Sequence, residues 1–329
     1  MWWNDFELQL RWAALRGAGN ILVAWNRGLG DIALGLYPLL VRIREALPEA
    51  EITFLVREGL CDGMSMLAGV KVIGAPWKRN EPYHVGATLE RLGLDERRYD
   101  WVIAWPNPTR WLKDQRGKTV PRLVWNPAYD ALWRRFGLTG EYMYVGIQPV
   151  AETAYGLWRN WPLERWKELV ALLEKRGNVR VLLFGHGREP LFNSPIIQDL
   201  RGKTSLFELL SIAQHCCRAL VLPDSGILSM LYYLDVRVPL RLVSLWADTH
   251  QGVLKQNVAS PNPLLVHKPL VGGLRNIATI SAEEVLGAVY KERKTGCLKG
   301  RLRIHNIFDA PLSEEWLIDP ECTDSTLGT

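Results

Sequence analysis

Two short turns carry the residues best suited to chemistry. Gly28-Leu29-Gly30-Asp31 follows the apolar run 21–25, and Asp224-Ser225-Gly226 follows the apolar run 219–222. In each, a strand-like stretch gives way to small and acidic residues, and a helical pattern begins. A helix start leaves backbone N–H groups without internal partners, and the helix dipole adds partial positive charge, so such turns suit a phosphate. Gly28 and Gly30 let backbone approach a ligand or take φ > 0, or they simply make a tight turn. Asp31 is the acid of its loop; a plain reading is that it caps the following helix. At that position the dipole favours the anion, so its pKa is expected to fall. Ser225 and Gly226 offer N–H groups and a hydroxyl to phosphate, and Asp224 braces the turn or meets the ligand. A third turn, 185–189, ends in Glu189, which could accept from ribose hydroxyls or be an ordinary first-turn acid. Arg159 offers a planar fork that matches a phosphate, or is a solvated flanking charge.

The elements that must position these residues alternate. Strand-like runs at 21–25, 52–56, 70–75, 101–105 and 122–125 are interleaved with helical patterns at 32–46, 60–68 and 84–92. Pro38 should kink the first of these helices. A polar, glycine-bearing link at 137–144 follows, and the pattern restarts with strands at 145–148, 180–184, 219–222 and 240–246. Pro162 opens one helix of this half, and Ser281 with Glu284 forms a capping box at another. Alternation of this kind predicts an α/β protein with two parallel sheets, each covered by helices. Ligands bind such sheets at the carboxyl ends of the strands, where all three turns lie. The turns at 28–31 and 224–226 are therefore expected to face each other across a cleft. The expected organisation is an N-terminal domain at 1–140, a second domain at 141–294 and a peripheral or disordered tail at 295–329.

Composition narrows the function classes. The chain has 329 residues, 48% of them hydrophobic, enough for two cores. It contains no run of roughly 20 apolar residues and no signal-peptide pattern at its start. Five cysteines without a C-x-x-C pattern suggest reduced thiols in a cytoplasm and no metal site. Net charge is +5, and the acidic tail from 295 hides a body of +8. That balance favours nucleotides, phosphosugars or an anionic membrane face, and is too scattered for nucleic acid. The first helix, 1–19, carries Trp2, Trp3 and Trp12 with Arg11 and Arg16. It reads as a helix packed on the first domain or as a membrane-surface anchor.

The stretch 21–40, with its apolar strand, Leu-Gly-Asp and later proline, resembles the opening of the heptosyltransferases, the family 9 glycosyltransferases. The second half is similar in order: Trp158-Arg159-Asn160-Trp161-Pro162, then Leu182–Glu189, then Gly202-Lys203-Thr204-Ser205-Leu206, then Asp224-Ser225-Gly226. The resemblance covers about 20–294. It implies a GT-B fold, two Rossmann-like domains around a cleft, and metal-independent inverting transfer of a heptose from an ADP-sugar to a lipopolysaccharide core or related bacterial surface glycan. On that resemblance Asp31 is the general base, and Arg159 replaces the lysine that faces the diphosphate. No cofactor is implied beyond the donor substrate. The partners implied are the donor and an anionic glycan or glycolipid, with the inner membrane's cytoplasmic face as a peripheral contact. In this fold the first domain holds the acceptor, so the basic run containing Arg110 and Lys113 is a candidate acceptor wall, or an ordinary solvated charge run. Two departures stand out. Ser229 occupies the place of the family's histidine three residues beyond Gly226, and Ala247-Asp248-Thr249-His250 replaces a Gly-Pro-Thr-Asp loop. They raise the alternative of a catalytically silent nucleotide-sugar-binding protein of the same fold. A nicotinamide-dependent enzyme is disfavoured, because Ala33 stands where a dinucleotide fingerprint has its third glycine.

Overall fold

The computed structural model describes residues 5–151, 157–187 and 192–290. Trp2, Trp3, Glu189 and the tail expected from 295 lie outside the described residues. Twelve strands occur among them: β1 (Asn20–Trp25), β2 (Glu51–Arg57), β3 (Val70–Ala75), β4 (Trp101–Ile103), β5 (Leu123–Val124), β6 (Met143–Ile147), β7 (Val179–Leu183), β8 (Ile197–Asp199), β9 (Cys217–Pro223), β10 (Leu234–Asp235), β11 (Leu240–Trp246) and β12 (Leu265–Val271). The first sheet is parallel, in the order β3-β2-β1-β4. The second is also parallel, in the order β12-β11-β9-β6-β7-β8. Counted by its own strands, the second order is that of the doubly wound dinucleotide-binding sheet. Central strands such as β1 and β9 are apolar on both faces because helices cover both, so they read as unbroken hydrophobic runs in the sequence.

One strand is not where the sequence pattern puts it. The segment expected at 122–125 does not join the first sheet. Its short core, β5, pairs in parallel with β10 of the second half, and Arg122 meets Asp235 at 3.0 Å beside it. The 3₁₀ run Pro127–Phe136, which apolar periodicity does not reveal, then packs on the helix Leu206–His215. Ser211 Oγ donates to the Asp130 carbonyl at 2.9 Å, and the Trp133 N–H donates to Ser211 Oγ at 3.2 Å. Residues 122–136 thus adhere to the second half, because a two-residue strand is decided by its partner and not by its own sequence. Gly137, with φ of 64°, turns the chain towards β6.

Smaller expectations also shift. Pro162 precedes its helix, which begins at Leu163, since its ψ of 140° is extended. The capping box at Ser281 forms, with the Glu284 N–H donating to Ser281 Oγ at 3.1 Å and the Ser281 N–H donating to Glu284 Oε2 at 2.8 Å. The first helix, Asp5–Leu15, buries Phe6, Leu10 and Ala13, packs on the helix Tyr37–Ala46, and leaves Trp12 outward. Phe6 stacks on Trp111 with ring centroids 5.0 Å apart. No helix among the described residues is long and apolar enough to cross a membrane.

The halves do more than face each other. One apolar cluster runs from Phe6, Ile32 and Met64 through Leu123 to Leu209, Met230 and Leu234, so a single core joins the two sheets beneath the cleft. A second cluster, with Trp161, Trp166 and Val285, covers the opposite face of the second sheet.

Candidate active site

In each sheet the topological switch point lies beside one strand: between β1 and β4 in the first, and between β6 and β9 in the second. Ligands bind outside the carboxyl ends at such points. The loop 26–31 leaves β1, Gln148 leaves β6, and the turn 224–226 leaves β9. All three line one cleft of about 860 Å³ between the sheets.

Asp31 sits where the backbone widens. Residues Ile32–Leu36 form a π-helical turn before the α-helix Tyr37–Ala46, and the Tyr37 N–H reaches back five residues to the Ile32 carbonyl. Such turns concentrate at functional sites. Pro38 has no N–H to give the Leu34 carbonyl, and Gln256 Nε2 from the second half donates to that oxygen at 3.0 Å. The expected kink is thereby a tie between the halves. The Asp31 carboxylate does not cap its helix. It accepts instead from the Gly28 N–H, at 3.1 Å to Oδ2. A Cβ at Gly28 would stand 2.9 Å from that oxygen, so glycine is required for close approach. The expected fall in pKa is corrected: burial pushes the Asp31 carboxyl up, against the Gly28 N–H and the Arg27, Arg79 and Arg159 charges. At this half-buried carboxylate desolvation outweighs these favourable contacts.

The opposite wall is the second turn. Asp224 is buried and lies 3.1 Å from Arg159 Nη1. Burial raises its pKa and Arg159 lowers it. Arg159 also lies over the Trp158 ring, 5.2 Å from the centroid, while its Nε is buried without a hydrogen-bond partner among the described residues. The Ser225 hydroxyl is already engaged, accepting from the Leu228 N–H at 3.2 Å and donating to Gln148 Oε1 at 3.3 Å. It caps the helix Gly226–Tyr232 and is tied to β6, which leaves the first-turn N–H groups as the donors this turn can offer.

The two turns touch. A Cβ at Gly226 would lie 2.9 Å from Leu29 Cβ and 3.0 Å from the Gly30 nitrogen; one at Gly30 would lie 3.2 Å from Ser229 Oγ. Neither glycine has a positive φ, so both serve close approach. Ser229, the residue that departs from the family pattern, is buried in this contact, and its hydroxyl lies 3.4 Å from the Ser225 carbonyl oxygen. Its small size lets the turns close.

Other expectations separate. Glu189 lies outside the described residues. Arg110 and Lys113 are exposed and do not line the cleft; their neighbours Thr109, Leu112, Gln115 and Arg116 do. His250 lines it and is held by Asp248, whose carboxylate accepts from the His250 N–H and ring at 2.9 Å. These bonds, the backbone one first, hold the Asp248 carboxyl below its usual range. Sequence reasoning passed over Arg27, Arg57, Arg79, Lys255 and Gln148, which also line the cleft. Their signal was position alone: Arg57 ends β2, and Arg27, Arg79 and Gln148 lie in loops leaving parallel strands. Six lining Lys and Arg side chains stand against two carboxylates, a field that draws anions into a low-dielectric cleft. Among the described residues no group of three or more His, Cys, Asp or Glu is placed to hold a metal ion.

Two parallel sheets with apposed switch points, joined by a basic cleft, make up a GT-B fold. Residues 128–256 match the family model described as glycosyltransferase family 9 (heptosyltransferase). The fold is shared with E. coli ADP-heptose lps heptosyltransferase II, at TM-score 0.57 and 18% identity over 82% of this chain and 97% of that one. It is shared as well with the glycosyl transferase family 9 protein from Veillonella parvula DSM 2008, at TM-score 0.55 and 16% identity over 82% and 95%. No curated protein matches the sequence.

Proposed function

We propose that the protein transfers a sugar, a heptose in this reading, from an ADP-sugar to an anionic glycan of the bacterial surface such as the lipopolysaccharide core, with inversion at the anomeric carbon. The observation that carries the reading is the cleft itself. A carboxylate made more basic by burial, Asp31, stands on one wall, and the Arg159 and Asp224–Gly226 turn stands on the other. In this proposal residues 1–140 hold the acceptor and 141–294 the donor, on the cytoplasmic side of the inner membrane.

Asp31 accepts the proton of the acceptor hydroxyl as its oxygen bonds to the anomeric carbon. The bond from that carbon to the diphosphate breaks on the opposite face, and ADP leaves with the electron pair. Arg159 and the first-turn N–H groups of 225–227 stabilise the charge that develops on the diphosphate. Glu189 is kept as a ribose ligand. Arg116, which lines the cleft, takes the acceptor-side role first assigned to Arg110 and Lys113.

The test is a donor screen with mass detection of products, using ADP-, UDP- and GDP-sugars and a deacylated lipopolysaccharide core. ADP release with transfer is expected, and Asp31→Asn should abolish transfer while retaining ADP binding. Turnover of Asp31→Asn at the wild-type rate would remove Asp31 from the chemistry. Binding of ADP-sugar with no transfer by the wild type would leave a binding protein.

A further inference from the structure

Three aromatic rings form a continuous stack at the carboxyl-end edge of the first sheet. Trp77 lies on Tyr83 with centroids 4.1 Å apart and planes at 21°, and Tyr83 lies on Trp105 at 4.2 Å and 24°. Two of the three rings are pinned by hydrogen bonds. The Tyr83 hydroxyl donates to the Ala104 carbonyl at 2.7 Å, and Trp77 Nε1 donates to Thr88 Oγ1 at 3.1 Å. Tyr83 is buried, yet Trp105 is 56% exposed. Tyr83 covers one face of its indole, and more than half of the residue's surface remains accessible.

A large aromatic held flat in this way is unusual for a solvent loop, because exposed rings ordinarily keep rotamer freedom and lose entropy when a ligand orders them. Here the ordering is already done by the stack. The place is equally telling. Trp105 leaves β4, the strand beside the first sheet's switch point, two residues before Asn107, which lines the cleft. Trp77 leaves β3 two residues before Arg79, which also lines it. The stack is therefore built from the same two loops that form the first-half wall. Beside it, Arg27, Arg57 and Arg79 bring positive charge to that wall.

We propose that the free face of Trp105 is a sugar-stacking platform that holds a pyranose ring of the acceptor at the mouth of the cleft. A pyranose presents C–H groups on one face and keeps its hydroxyls at the rim in water, which suits a flat apolar ring with a wet edge. The neighbouring arginines then recognise acidic groups on the same glycan. The acceptor class this selects is an anionic oligosaccharide whose ring next to the reacting one lies flat, and the assignment rests on the glycosyltransferase reading above.

Titration calorimetry on the full-length protein tests it with two probes, deacylated lipopolysaccharide core oligosaccharide and ADP. Trp105→Ala is expected to weaken oligosaccharide binding about tenfold and to leave ADP binding unchanged. Trp105→Phe, which keeps an aromatic face, should stay within about threefold of wild type. Equal oligosaccharide affinity in Trp105→Ala and wild type overturns the platform, and so does a Phe variant as weak as the Ala variant. Wild type that binds ADP but not the oligosaccharide also overturns it, while leaving the donor half of the proposed function standing. Wild type that binds the oligosaccharide but not ADP defeats the donor reading instead, and the Ala and Phe pair still decides the platform.

Discussion

Arg159 has two jobs that one experiment can separate. It neutralises the buried Asp224, and it is proposed to meet the departing diphosphate. Arg159→Met removes the charge and keeps much of the aliphatic stem. At 3.1 Å the gross attraction between the two charges is about 5 kcal/mol for an effective dielectric of 20, most of it offset by desolvation. Breaking a fully buried pair from one side costs about 3–5 kcal/mol. The Arg159 side chain is 23% exposed against 9% for Asp224, and Asp224 Oδ2 lacks hydrogen-bond geometry to it. We therefore expect about 2 kcal/mol, or a melting temperature lower by about 3 °C. Adding Asp224→Asn removes the orphaned charge and should restore most of that loss. ADP affinity should behave differently. Charge-assisted hydrogen bonds to phosphate contribute about 1.5–3 kcal/mol, so Arg159→Met should bind ADP about 10- to 100-fold more weakly. The double variant should remain weak, because no second substitution returns the guanidinium. Calorimetric ADP titration and thermal melting on the four proteins give both readouts. Recovery of wild-type ADP affinity in the double variant would show that Arg159 only serves Asp224, and the diphosphate role would fall.

Two further outcomes follow from the cleft geometry. Burial raises the Asp31 pKa, so kcat/KM should decline as pH drops through a value above the ordinary aspartate range; a profile flat down to the usual aspartate pKa would contradict this. The sign for stability is the reverse of a salt-bridged acid: the raised pKa means the charged form destabilises the fold above that pKa, and stability returns as pH falls through it, so Asp31→Asn should melt no lower than wild type at pH 7. Gly226→Ala would place a Cβ 2.9 Å from Leu29 Cβ and 3.0 Å from the Gly30 nitrogen, forcing the turns apart at about 1–3 kcal/mol. Its melting temperature and its transfer rate should both fall, and wild-type melting would mean that the turns do not touch in solution.

How far the chain could be read without its fold varies from residue to residue. The runs at 21–25 and 219–222 announced buried parallel strands because both faces of such strands are apolar, and the turns after them announced themselves by Gly, Asp and Ser. Order along the chain also carried the family resemblance, since several weak motifs in sequence are jointly more specific than any one. Local rules failed where a partner decides. The residues at 123–124 joined the far half because β10 was available there, and the basic run at 110–118 was split where the chain leaves its short helical turns: Arg116, with an extended backbone, lines the cleft, and Arg110 and Lys113 do not.

The sequence by itself determined the α/β alternation, the two phosphate-friendly turns and the identity of Asp31, Arg159 and Asp224–Gly226 as the residues to watch, because strand burial and turn chemistry are local properties. Only the tertiary structure decided that Gly30 and Gly226 meet back to back with Ser229 between them. It alone decided that Gln256 completes the backbone Pro38 leaves open. It also reversed the direction of the Asp31 pKa: the helix dipole that favours the anion is written in the neighbouring residues, whereas the desolvation that overrides it is set by how two distant segments pack.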